Sequence, residues 1–595
     1  MPTIHLNPSG TTLQAPKGAL LRDVLQQAGV LLDYPCGGKG SCRQCRVIVD
    51  PAPESGKGKL KESESANGVR LACQLALEED CTITIPEERL SGKTWKQGLR
   101  DQDIAIAIGG GSVREIELSL VEPTLEDQRA DWERLATALS EKGIQSSPPA
   151  PRSMEKLSAS VRERGWKVRA VCEDSRFLWL AETGGCFGLA VDLGTTTVDL
   201  ALLELSTGKL LGRRAHLNRQ VAFGADVISR AQSFHADRAP VRDAALATIE
   251  EGAHQLLKQA GVQPSSVVKT VVVGNPIMIH ILNGIDPYQL THVPYIPVVA
   301  SSLRNAPSHF GWTFQEHGYV ETLPLVSAYV GADTIGMIAA LDLEAEKITT
   351  LSIDIGTNGE MVLSQAGTLV TTSTAAGPAF EGAQIACGMR ALEGAIYASS
   401  IFDDGEMALR TVGDAVPKGL CGTGLISVVA QLLDHGVIDA TGRLVDPEEV
   451  SAEPLRRRLF STGNEPAFAL SDGQEVYISQ GDIRKLQLAK GAVRTGIETL
   501  LEVSGVSHDQ LHAVRLAGNF GAGLDAASAM RIGLIPELDL KKVEVVGNAA
   551  LRGAVLVLLS REYWRKSESA ARHARFIELG GKPEFQARFM EAMLF

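Results

Sequence analysis

The chain of 595 residues is 44% hydrophobic and 22% charged, which is a globular composition in a chain too long for one core, so three or four domains are expected. Its net charge of -13 argues against a nucleic acid or an anionic membrane as partner, because a polyanion would be repelled. The sequence has no long apolar run and no basic start followed by an apolar core. A cytoplasmic location without a membrane span is therefore expected.

A group of cysteines lies near the start of the chain, in 34-YPCGGKGSCRQC-45. Cys36, Cys42 and Cys45 are separated by five and two residues, and Cys73 follows in 71-LACQLA-76. In a reducing compartment such a group indicates metal or redox chemistry rather than disulfides. The glycines between the cysteines let the backbone approach inorganic sulfide closely. The four thiolates are therefore predicted to hold an iron-sulfur cluster.

The sequence around these cysteines predicts a small β-grasp domain. Residues 2–7, 46–50 and 81–86 have strand-like patterns, and 19–29 has a helical one. With the cysteine motif, residues 1 to about 93 resemble the plant-type 2Fe-2S ferredoxin domain. The chain has five residues between its first two ligands where that family usually has four. A structural zinc site is the alternative, although the spacing is poor for one. Cys81 is interpreted as part of the hydrophobic core.

Two further regions precede the larger part of the chain. Residues 94–112 are interpreted as a linker, because 108-IGGGS-112 is rich in glycine and suits a hinge. Residues 113–186 predict a small α/β middle domain with a strand, two helices and two more strands. No chemistry is evident in that domain. Cys172, Cys186, Cys387 and Cys421 are isolated in the sequence, and each is expected to pack in a core.

Two similar hairpin motifs begin at 188-GLAVDLGTTTVDLALLELSTGKLLG-212 and 351-LSIDIGTNGEMVLSQAGTLVTT-372. In each, an apolar strand reaches an Asp, turns through a Gly and continues into a second strand. No GxxxxGK[ST] motif occurs, so the duplicated hairpins are the predicted phosphate-binding elements. Backbone N–H groups and hydroxyls of the turns would donate to phosphate oxygens, and Asp192 and Asp354 would hold Mg²⁺, directly or through its waters, and orient the attacking water. The turn residues are Gly194, Thr195, Thr196, Thr197, Gly356, Thr357 and Asn358.

These hairpins resemble those of the actin, sugar-kinase and heat-shock chaperone superfamily of ATPases. The resemblance implies that residues 187–595 form a duplicated ribonuclease-H-like ATPase domain whose two lobes close on ATP. The overall fold class is therefore multidomain α/β and α+β. The resemblance extends to 514-VRLAGNFGAGLD-525 on the adenosine side, with Gly518 and Asn519, and to Gly422 and Gly424 in 420-LCGTGLISVVAQLL-433. Gly377, in 374-TAAGPAFEGAQI-385, is a further expected nucleotide contact.

The order of domains, with 273-VGNPIMIHILNGID-286 and 325-LVSAYVGADTIG-336, resembles the reductive activators of corrinoid-dependent methyltransferases. The resemblance implies ATP-dependent transfer of one electron through a 2Fe-2S cluster, which converts an inactive Co(II) corrinoid on a partner protein to Co(I). It also implies an electron donor protein or low-potential reductant, and a homodimer. The methyl donor of the partner system, whether an ether substrate of an O-demethylase, a methylamine, a methylated thiol or a C1 carrier, is left open.

Three other functions use parts of the same pattern. A metabolite kinase would have two hairpins but would not need cluster thiolates, and a chaperone-like scaffold would bind nucleotide without reducing a partner. An ATP-driven activator of acyl-CoA dehydratases or reductases is the nearer alternative, although its four-iron cluster lies between two subunits. Within the characteristic motifs, His280 is interpreted as a satisfied core histidine. Asp333 is interpreted as a helix N-cap in preference to a water-orienting base.

Overall fold

The computed structural model describes residues 1–7, 10–28, 30, 32, 40, 45–58, 60, 62–85, 113–148, 151–181, 185–224, 226–518, 523–580 and 583–595. The hinge predicted at 108–112 and all of the linker from 94 onward lie outside these residues, so both stay predictions. Among the described residues, no helix is long and apolar enough to cross a membrane.

The N-terminal domain is a mixed β-grasp sheet, as the alternating patterns predict. Its strand order is β2-β1-β7-β4-β5, with β1 and β7 parallel and the other pairs antiparallel. Alternate residues of β1 and β4 are buried, and α1 covers them with Leu21 and Leu25. The elements are β1 Thr3–Asn7, β2 Thr11–Gln14, β3 Ala19–Leu20, α1 Leu21–Gln27, β4 Arg46–Asp50, α2 Glu62–Ala66, β5 Val69–Leu71, β6 Ala76–Leu77 and β7 Cys81–Thr84.

The middle domain is an antiparallel sheet of order β10-β9-β8 covered by two helices. Leu135 and Leu139 of one helix and Leu157 and Val161 of the other lie in one hydrophobic core, at the spacing of amphipathic helices. The elements are β8 Val113–Ser119, α3 Asp131–Glu141, α4 Pro151–Glu163, β9 Lys167–Glu173 and β10 Arg176–Leu180.

Lobe 1 begins at the first predicted hairpin, and its sheet has the order β13-β12-β11-β14-β16-β15. Apolar residues fill β11, β12 and β14 almost continuously, as in a sheet covered on both faces. The elements are β11 Phe187–Leu193, β12 Thr197–Glu204, β13 Leu210–Leu217, α5 Val227–Ala236, α6 Arg238–Ala260, β14 Val267–Gly274, α7 Pro276–Leu282, β15 Leu303–Asn305, β16 Tyr319–Thr322 and α8 Ala332–Leu341, with 3₁₀ helices at Arg219–Phe223, Pro264–Ser266, Tyr288–Thr291 and Pro307–His309.

Lobe 2 begins at the second hairpin, and its main sheet has the order β27-β26-β17-β18-β19-β28. Its elements are β17 Thr350–Ile355, β18 Gly359–Gln365, β19 Thr368–Thr374, β20 Ala395–Ile401, β21 Met407–Thr411, β22 Gly419–Leu420, α9 Gly422–Asp434, α10 Glu453–Arg456, β23 Leu459–Thr462, β24 Glu465–Ala469, β25 Tyr477–Ser479, α11 Gln480–Val503, β26 Ala513–Ala517, α12 Ala526–Arg531, β27 Val543–Gly547, α13 Ala549–Leu559, α14 Arg561–His573, β28 Arg575–Phe576 and α15 Pro583–Ala592. Five 3₁₀ helices lie at Pro378–Glu381, Val412–Asp414, Pro447–Glu449, His508–Gln510 and Leu540–Lys542 among the described residues.

The two lobes repeat one topology. In lobe 1, three antiparallel strands β13-β12-β11 are followed by the parallel strand β14, and in lobe 2 the strands β19-β18-β17 are followed by the parallel strand β26. The hairpin turn therefore lies at the equivalent strand ends in the sheet of each lobe. Helix α13 returns from lobe 2 to pack in the core of lobe 1, where Gly553 faces Gly336 of α8 closely enough to exclude any side chain.

A buried ion pair attaches the middle domain to lobe 1. Lys269 Nζ of β14 donates to Glu173 Oε1 of β9 at 2.7 Å and to Val557 O at 3.0 Å, and Tyr319 OH donates to Glu173 Oε2 at 2.6 Å. Burial alone would raise the pKa of Glu173, but Lys269 and Tyr319 hold it below its ordinary range. Trp179 also stacks on His317, with 4.3 Å between ring centroids. These contacts fix the middle domain against lobe 1.

Replacing Lys269 with Met is expected to destabilise the protein, because it leaves the Glu173 carboxylate buried without its cation, at a cost of about 3–5 kcal/mol. The change should appear as a lower midpoint of thermal unfolding. Lys17→Met is the control, because the Lys17 side chain is 71% exposed and pairs with Glu78 only at 3.8 Å. Equal midpoints for the two variants would contradict this account of the domain contact.

Candidate nucleotide site and cluster ligands

In each hairpin, two acidic residues are paired across neighbouring strands, near the strand ends that the turn joins. Asp192 of β11 is opposite Asp199 of β12, and Asp354 of β17 is opposite Glu360 of β18. The predicted turns join the two strands of each pair. Lobe 1 uses Gly194, Thr195 and Thr196 before Thr197 opens β12, and lobe 2 uses Gly356, Thr357 and Asn358. The duplicated sequence motif is thus a duplicated structural element.

Carboxylates from both lobes lie close enough to influence one another. Burial raises the pKa of Asp192 well above its ordinary value, and the charges of Asp199, Asp354 and Asp333 raise it further. Burial followed by the charge of Asp333 raises the pKa of Asp354 to about 7. Burial raises the pKa of Asp333 to about 6. Burial, with Asp333 and Asp354, also raises the pKa of Glu360. Such a set of like charges favours a cation.

The geometry of these carboxylates fits Mg²⁺ held partly through water. Asp192, Asp333 and Asp354 are half-buried, so each remains reachable from the cleft between the lobes. Within the described ranges, no three His, Cys, Asp or Glu side chains are arranged to hold a metal ion by themselves. Mg²⁺ commonly keeps several waters and takes its other ligands from one or two carboxylates and phosphate oxygens. The site therefore fits an ion brought in with a nucleotide.

Asn548 orients Asp192 from a distant part of the chain. Its Nδ2 donates to Asp192 Oδ2 at 2.8 Å and to Asp199 Oδ2 at 3.4 Å, while its Oδ1 caps α13 by accepting the N–H of Leu551 at 2.8 Å. Arg213 neutralises Asp199, with Nε donating to Oδ1 at 3.0 Å. Asp192 therefore keeps an oxygen for the cleft while Asp199 is used structurally.

Two more asparagines hold the first hairpin turn. Asn218 donates from Nδ2 to Gly194 O at 2.9 Å and from its backbone N–H to Thr196 O at 2.8 Å. Asn275, the N-cap of α7, donates from Nδ2 to Thr195 Oγ1 at 3.3 Å. Sequence reasoning gave none of the three asparagines a role. A signal was present, because Gly274-Asn275 and Gly547-Asn548 each follow a strand and open a helix.

The second turn is held by the segment that follows β19. Gly377 donates its N–H to Thr357 O at 2.9 Å, and Thr357 Oγ1 donates to Glu381 Oε1 at 2.5 Å. Gly377 has φ +78°, a conformation that favours glycine. The predicted Gly377 therefore lies beside the second hairpin. Glu381 is an additional residue of this region that the sequence did not single out.

The N-cap role predicted for Asp333 is wrong. Helix α8 starts two residues earlier, with Gly331 as its N-cap, and Asp333 is the second residue within the helix. Its Oδ1 accepts the N–H of Thr334 at 2.7 Å, and its charge raises the pKa of Asp192, Asp354 and Glu360. Asp333 is thus placed with the acidic residues of the cleft, where a water-orienting carboxylate would be needed.

The adenosine-side residues are partly described. Gly518 follows β26 with φ +89°, and a Cβ on it would overlap Asp354 Oδ1. Gly422 opens α9, and Gly424 lies against Ile396 O with no room for a side chain. A Cβ on Gly523 would lie 3.5 Å from Thr423 Cγ2, so the segment after β26 meets the start of α9. Asn519 lies outside the described residues and stays a prediction.

The ferredoxin-like domain brings two predicted cluster ligands together. Cys45 and Cys73 are both buried, and the N–H of Ala72 donates to Cys45 O at 2.8 Å, which places the two cysteine segments side by side. Gly40 has φ +71°, and a Cβ on it would overlap the Gln74 side chain, so the backbone packs closely here. This close packing fits a cluster-binding loop. Cys36 and Cys42 lie outside the described residues.

The other cysteines and His280 are mostly where the sequence predicts. Cys172, Cys186 and Cys421 are buried, whereas Cys81 and Cys387 are half-buried. Cys81 packs at the edge of the ferredoxin-domain core. His280 is a satisfied core histidine, because Nδ1 donates to Pro276 O at 2.7 Å and Nε2 accepts the N–H of Val298 at 3.2 Å. Burial lowers its pKa, so the neutral ring is favoured.

Comparisons with known proteins match four stretches of the chain. Family models match residues 4–78 as a 2Fe-2S iron-sulfur cluster binding domain, 111–184 as the RACo linker region, 187–346 as the RACo middle region and 348–595 as the C-terminal domain of RACo, the ASKHA domain. A solved structure described as a reductive activator for corrinoid, iron-sulfur protein is 32% identical, covers 100% of this chain and 98% of its own, and superposes with a TM-score of 0.73. The chain belongs to the RACo family of reductive activators.

Curated relatives of this RACo-family chain agree with the assignment. The corrinoid activation enzyme RamQ of Eubacterium limosum is 28% identical over 97% of this chain and 96% of its own length. The [Co(II) methylated amine-specific corrinoid protein] reductase of Methanosarcina barkeri is 27% identical over 63% of this chain and 70% of its own length. Membership in the family gives the chain a 2Fe-2S cluster and an ASKHA-type ATPase domain that uses ATP.

Gly518→Ala is expected to weaken binding of Mg-ATP by about tenfold, which corresponds to about 1.4 kcal/mol, because the new methyl group displaces Asp354. Gly463→Ala is a matched control, since Gly463 has φ +66° and open space around it. In both variants the new methyl group stands at a positive φ, but at Gly518 it also overlaps Asp354. Isothermal titration calorimetry measures the affinities, and equal weakening in the two variants would contradict the placement of Asp354.

The protein without metal should become less stable as pH rises from about 4 to 7. The pKa of Asp354, about 7, and that of Asp333, about 6, lie above the ordinary value of 3.8, so the folded state binds more protons than the unfolded state across this window. In EDTA, the thermal midpoint should therefore fall with pH, and Asp354→Asn should reduce that fall. Mg-ATP should bind more tightly toward the upper end of the window, because the cation competes with protons.

Asp472→Asn is the control for this pH series, because its side chain is 99% exposed. That variant should keep the slope of the wild-type protein. A thermal midpoint that falls equally steeply in the Asp354→Asn variant would show that other groups cause the pH dependence.

Proposed function

We propose that this chain is an ATP-dependent reductive activator that delivers one electron to a Co(II) corrinoid on a partner protein and returns the cobalt to Co(I). The observation that carries the proposal is the likeness to a reductive activator over the whole chain, in sequence and in fold. One relative is named a corrinoid activation enzyme and another a reductase of a Co(II) corrinoid protein, which supports a partner of that class. We further propose an electron donor of low potential and a homodimer, as the family resemblance implies.

Each domain has its own proposed role. We assign cluster binding to residues 1–93, a linker to 94–112, a middle domain to 113–186 and nucleotide binding to 187–595. Cys36, Cys42, Cys45 and Cys73 would hold the 2Fe-2S cluster, which supplies one-electron transfer when bound. Reduction is balanced, because the reduced cluster loses the one electron that Co(II) gains.

ATP is needed because reduction of a low-potential centre is unfavourable. Each ~59 mV of unfavourable potential reduces the equilibrium constant of a one-electron step tenfold. A ferredoxin domain alone cannot change that ratio. A protein that binds one state of the partner more tightly after binding ATP can change it, by the difference in affinity between the two states. The two lobes supply the nucleotide-dependent element.

The residues of the cleft would act on the nucleotide in three ways. The turns at Gly194–Thr197 and Gly356–Asn358 would donate hydrogen bonds to phosphate oxygens. Asp192 and Asp354 would hold Mg²⁺, largely through water, and Asp333 would orient the attacking water. Glu360 would add negative charge beside the ion. The backbone would approach the nucleotide closely at Gly377, Gly422, Gly424, Gly518 and Asn519.

The test is anaerobic visible spectroscopy of a Co(II) corrinoid protein mixed with the holoprotein and a low-potential reductant. Co(I) should form with Mg-ATP and not without it. Asp354→Asn should slow Co(I) formation by about 10²–10³, the usual cost of removing one preorganised electrostatic group. Cys73→Ser should abolish Co(I) formation and weaken the cluster absorption.

Cys81→Ser is the matched control for Cys73→Ser, because Cys81 is in the same domain but only packs at the edge of its core. It should retain both the cluster absorption and Co(I) formation. ATP hydrolysis without Co(I) across corrinoid proteins from ether, methylamine and thiol systems would contradict the proposed function and would favour an activator of dehydratase type.

A further inference from the structure

The 3₁₀ helix Arg219–Phe223 connects the first hairpin with the ferredoxin-like domain. Its N-cap is Asn218, which is completely buried and holds the turn at Gly194 and at Thr196. Asn218 also accepts the N–H of Gln220 on Oδ1 at 3.0 Å, so the helix starts directly from the residue that holds the turn. A displacement of the turn therefore acts on this helix without an intervening loop.

The segment is anchored along its length, so it transmits displacement as one unit. Gln220 Nε2 donates to Val241 O at 3.0 Å, and the N–H of Arg219 donates to Thr248 Oγ1 at 3.1 Å. At the other end, Ser233 Oγ donates to Phe223 O at 2.7 Å, and the fully buried Arg230 donates from Nε to Gly224 O at 2.9 Å. Packed elements with such bonds move as rigid pieces rather than deforming continuously.

The far part of this helix contacts the ferredoxin-like domain. Ala222 is half-buried and packs against the hydrophobic core that contains Cys45 and Cys73. The ferredoxin-like domain also lies near lobe 2. Burial and the Cys387 thiol raise the pKa of Tyr477, and the guanidinium of Arg46, next to Cys45, acts in the opposite direction. The ferredoxin-like domain thus lies against lobe 1 and within electrostatic reach of lobe 2.

We propose that the segment Asn218–Gly224 is a docking element for the ferredoxin-like domain, through which that domain and the first phosphate hairpin control each other. Among the described residues, the apolar contact that lobe 1 makes with this core is the small side chain of Ala222, which buries far less than the Lys269–Glu173 pair of the middle domain. Phosphate bound at the turn shifts Asn218 and with it Ala222. The position of the cluster domain then depends on nucleotide.

Thermodynamic reciprocity makes this inference testable without any corrinoid partner. If nucleotide changes docking, loss of docking must change the affinity for nucleotide by the same factor. Ala222→Glu places a charge in the apolar contact. In the holoprotein it should change the dissociation constant of Mg-ATPγS by about fivefold or more, although Ala222 lies outside the hairpins. Ala222→Gln, which adds no charge, should change it in the same direction by less.

Ala247→Glu is the matched control, since Ala247 is a half-buried alanine of α6 in the same lobe and packs against no ferredoxin-domain core. It should leave the dissociation constant unchanged. Hydrogen–deuterium exchange gives a second readout. Mg-ATPγS should change exchange in β4 and β5 of the wild-type ferredoxin-like domain, and Ala222→Glu should remove that change.

The inference rests on the nucleotide site of the proposed function, and the two fail differently. Normal binding of Mg-ATPγS, with unchanged affinity in both Ala222 variants and no change of exchange in β4 and β5, would overturn the docking element alone. Absence of binding by the wild-type holoprotein would overturn the nucleotide site and the docking element together.

Discussion

Like charges brought together in the cleft constrain the rest of this molecule. The two lobes contribute four acidic residues there: Asp192, Asp333, Asp354 and Glu360. Burial and the charges of neighbouring carboxylates raise the pKa of Asp192, Asp354 and Glu360. Such a set is costly unless a cation or protons neutralise it. The lobes must therefore be held in place by other contacts, and a bound cation with its phosphates would draw the two hairpins together. Binding of a nucleotide with its cation would therefore bring the two lobes closer together.

The contacts that position Asp192 and the turn after it are made by asparagines that follow strands. Asn548 reaches Asp192 across 356 residues of sequence, and Asn218 and Asn275 hold the turn that follows Asp192. An amide can accept a helix N–H with its oxygen while donating to a carboxylate or hydroxyl oxygen with its nitrogen. Asn275 and Asn548 do both. The same side chains therefore start a helix and hold the first hairpin.

Local patterns in the sequence predicted the hairpins and the β-grasp domain, because strand periodicity and the Asp-Gly-Thr turns are encoded within a few residues. Partners distant in sequence could not be predicted in this way, as with Asn548. The N-cap role predicted for Asp333 is wrong because its helix starts at Ala332, after the N-cap Gly331, and helix boundaries are the least certain feature of a sequence pattern. Ala222 carries no signal in the sequence, since a single alanine that packs against another domain leaves no periodic pattern. Cys36, Cys42 and Asn519 remain predictions.

The described contacts attach the middle domain and the ferredoxin-like domain to lobe 1 in different ways. The middle domain is fixed to lobe 1 by a buried ion pair, whose disruption costs several kcal/mol. The described contact of the ferredoxin-like domain with lobe 1 involves Ala222, and a methyl group contributes about 0.8 kcal/mol. Coupling free energies of 1–3 kcal/mol, typical of nucleotide-driven changes, are too small to break the first contact and large enough to shift the second. Nucleotide would therefore reposition the cluster without loosening the body that binds it.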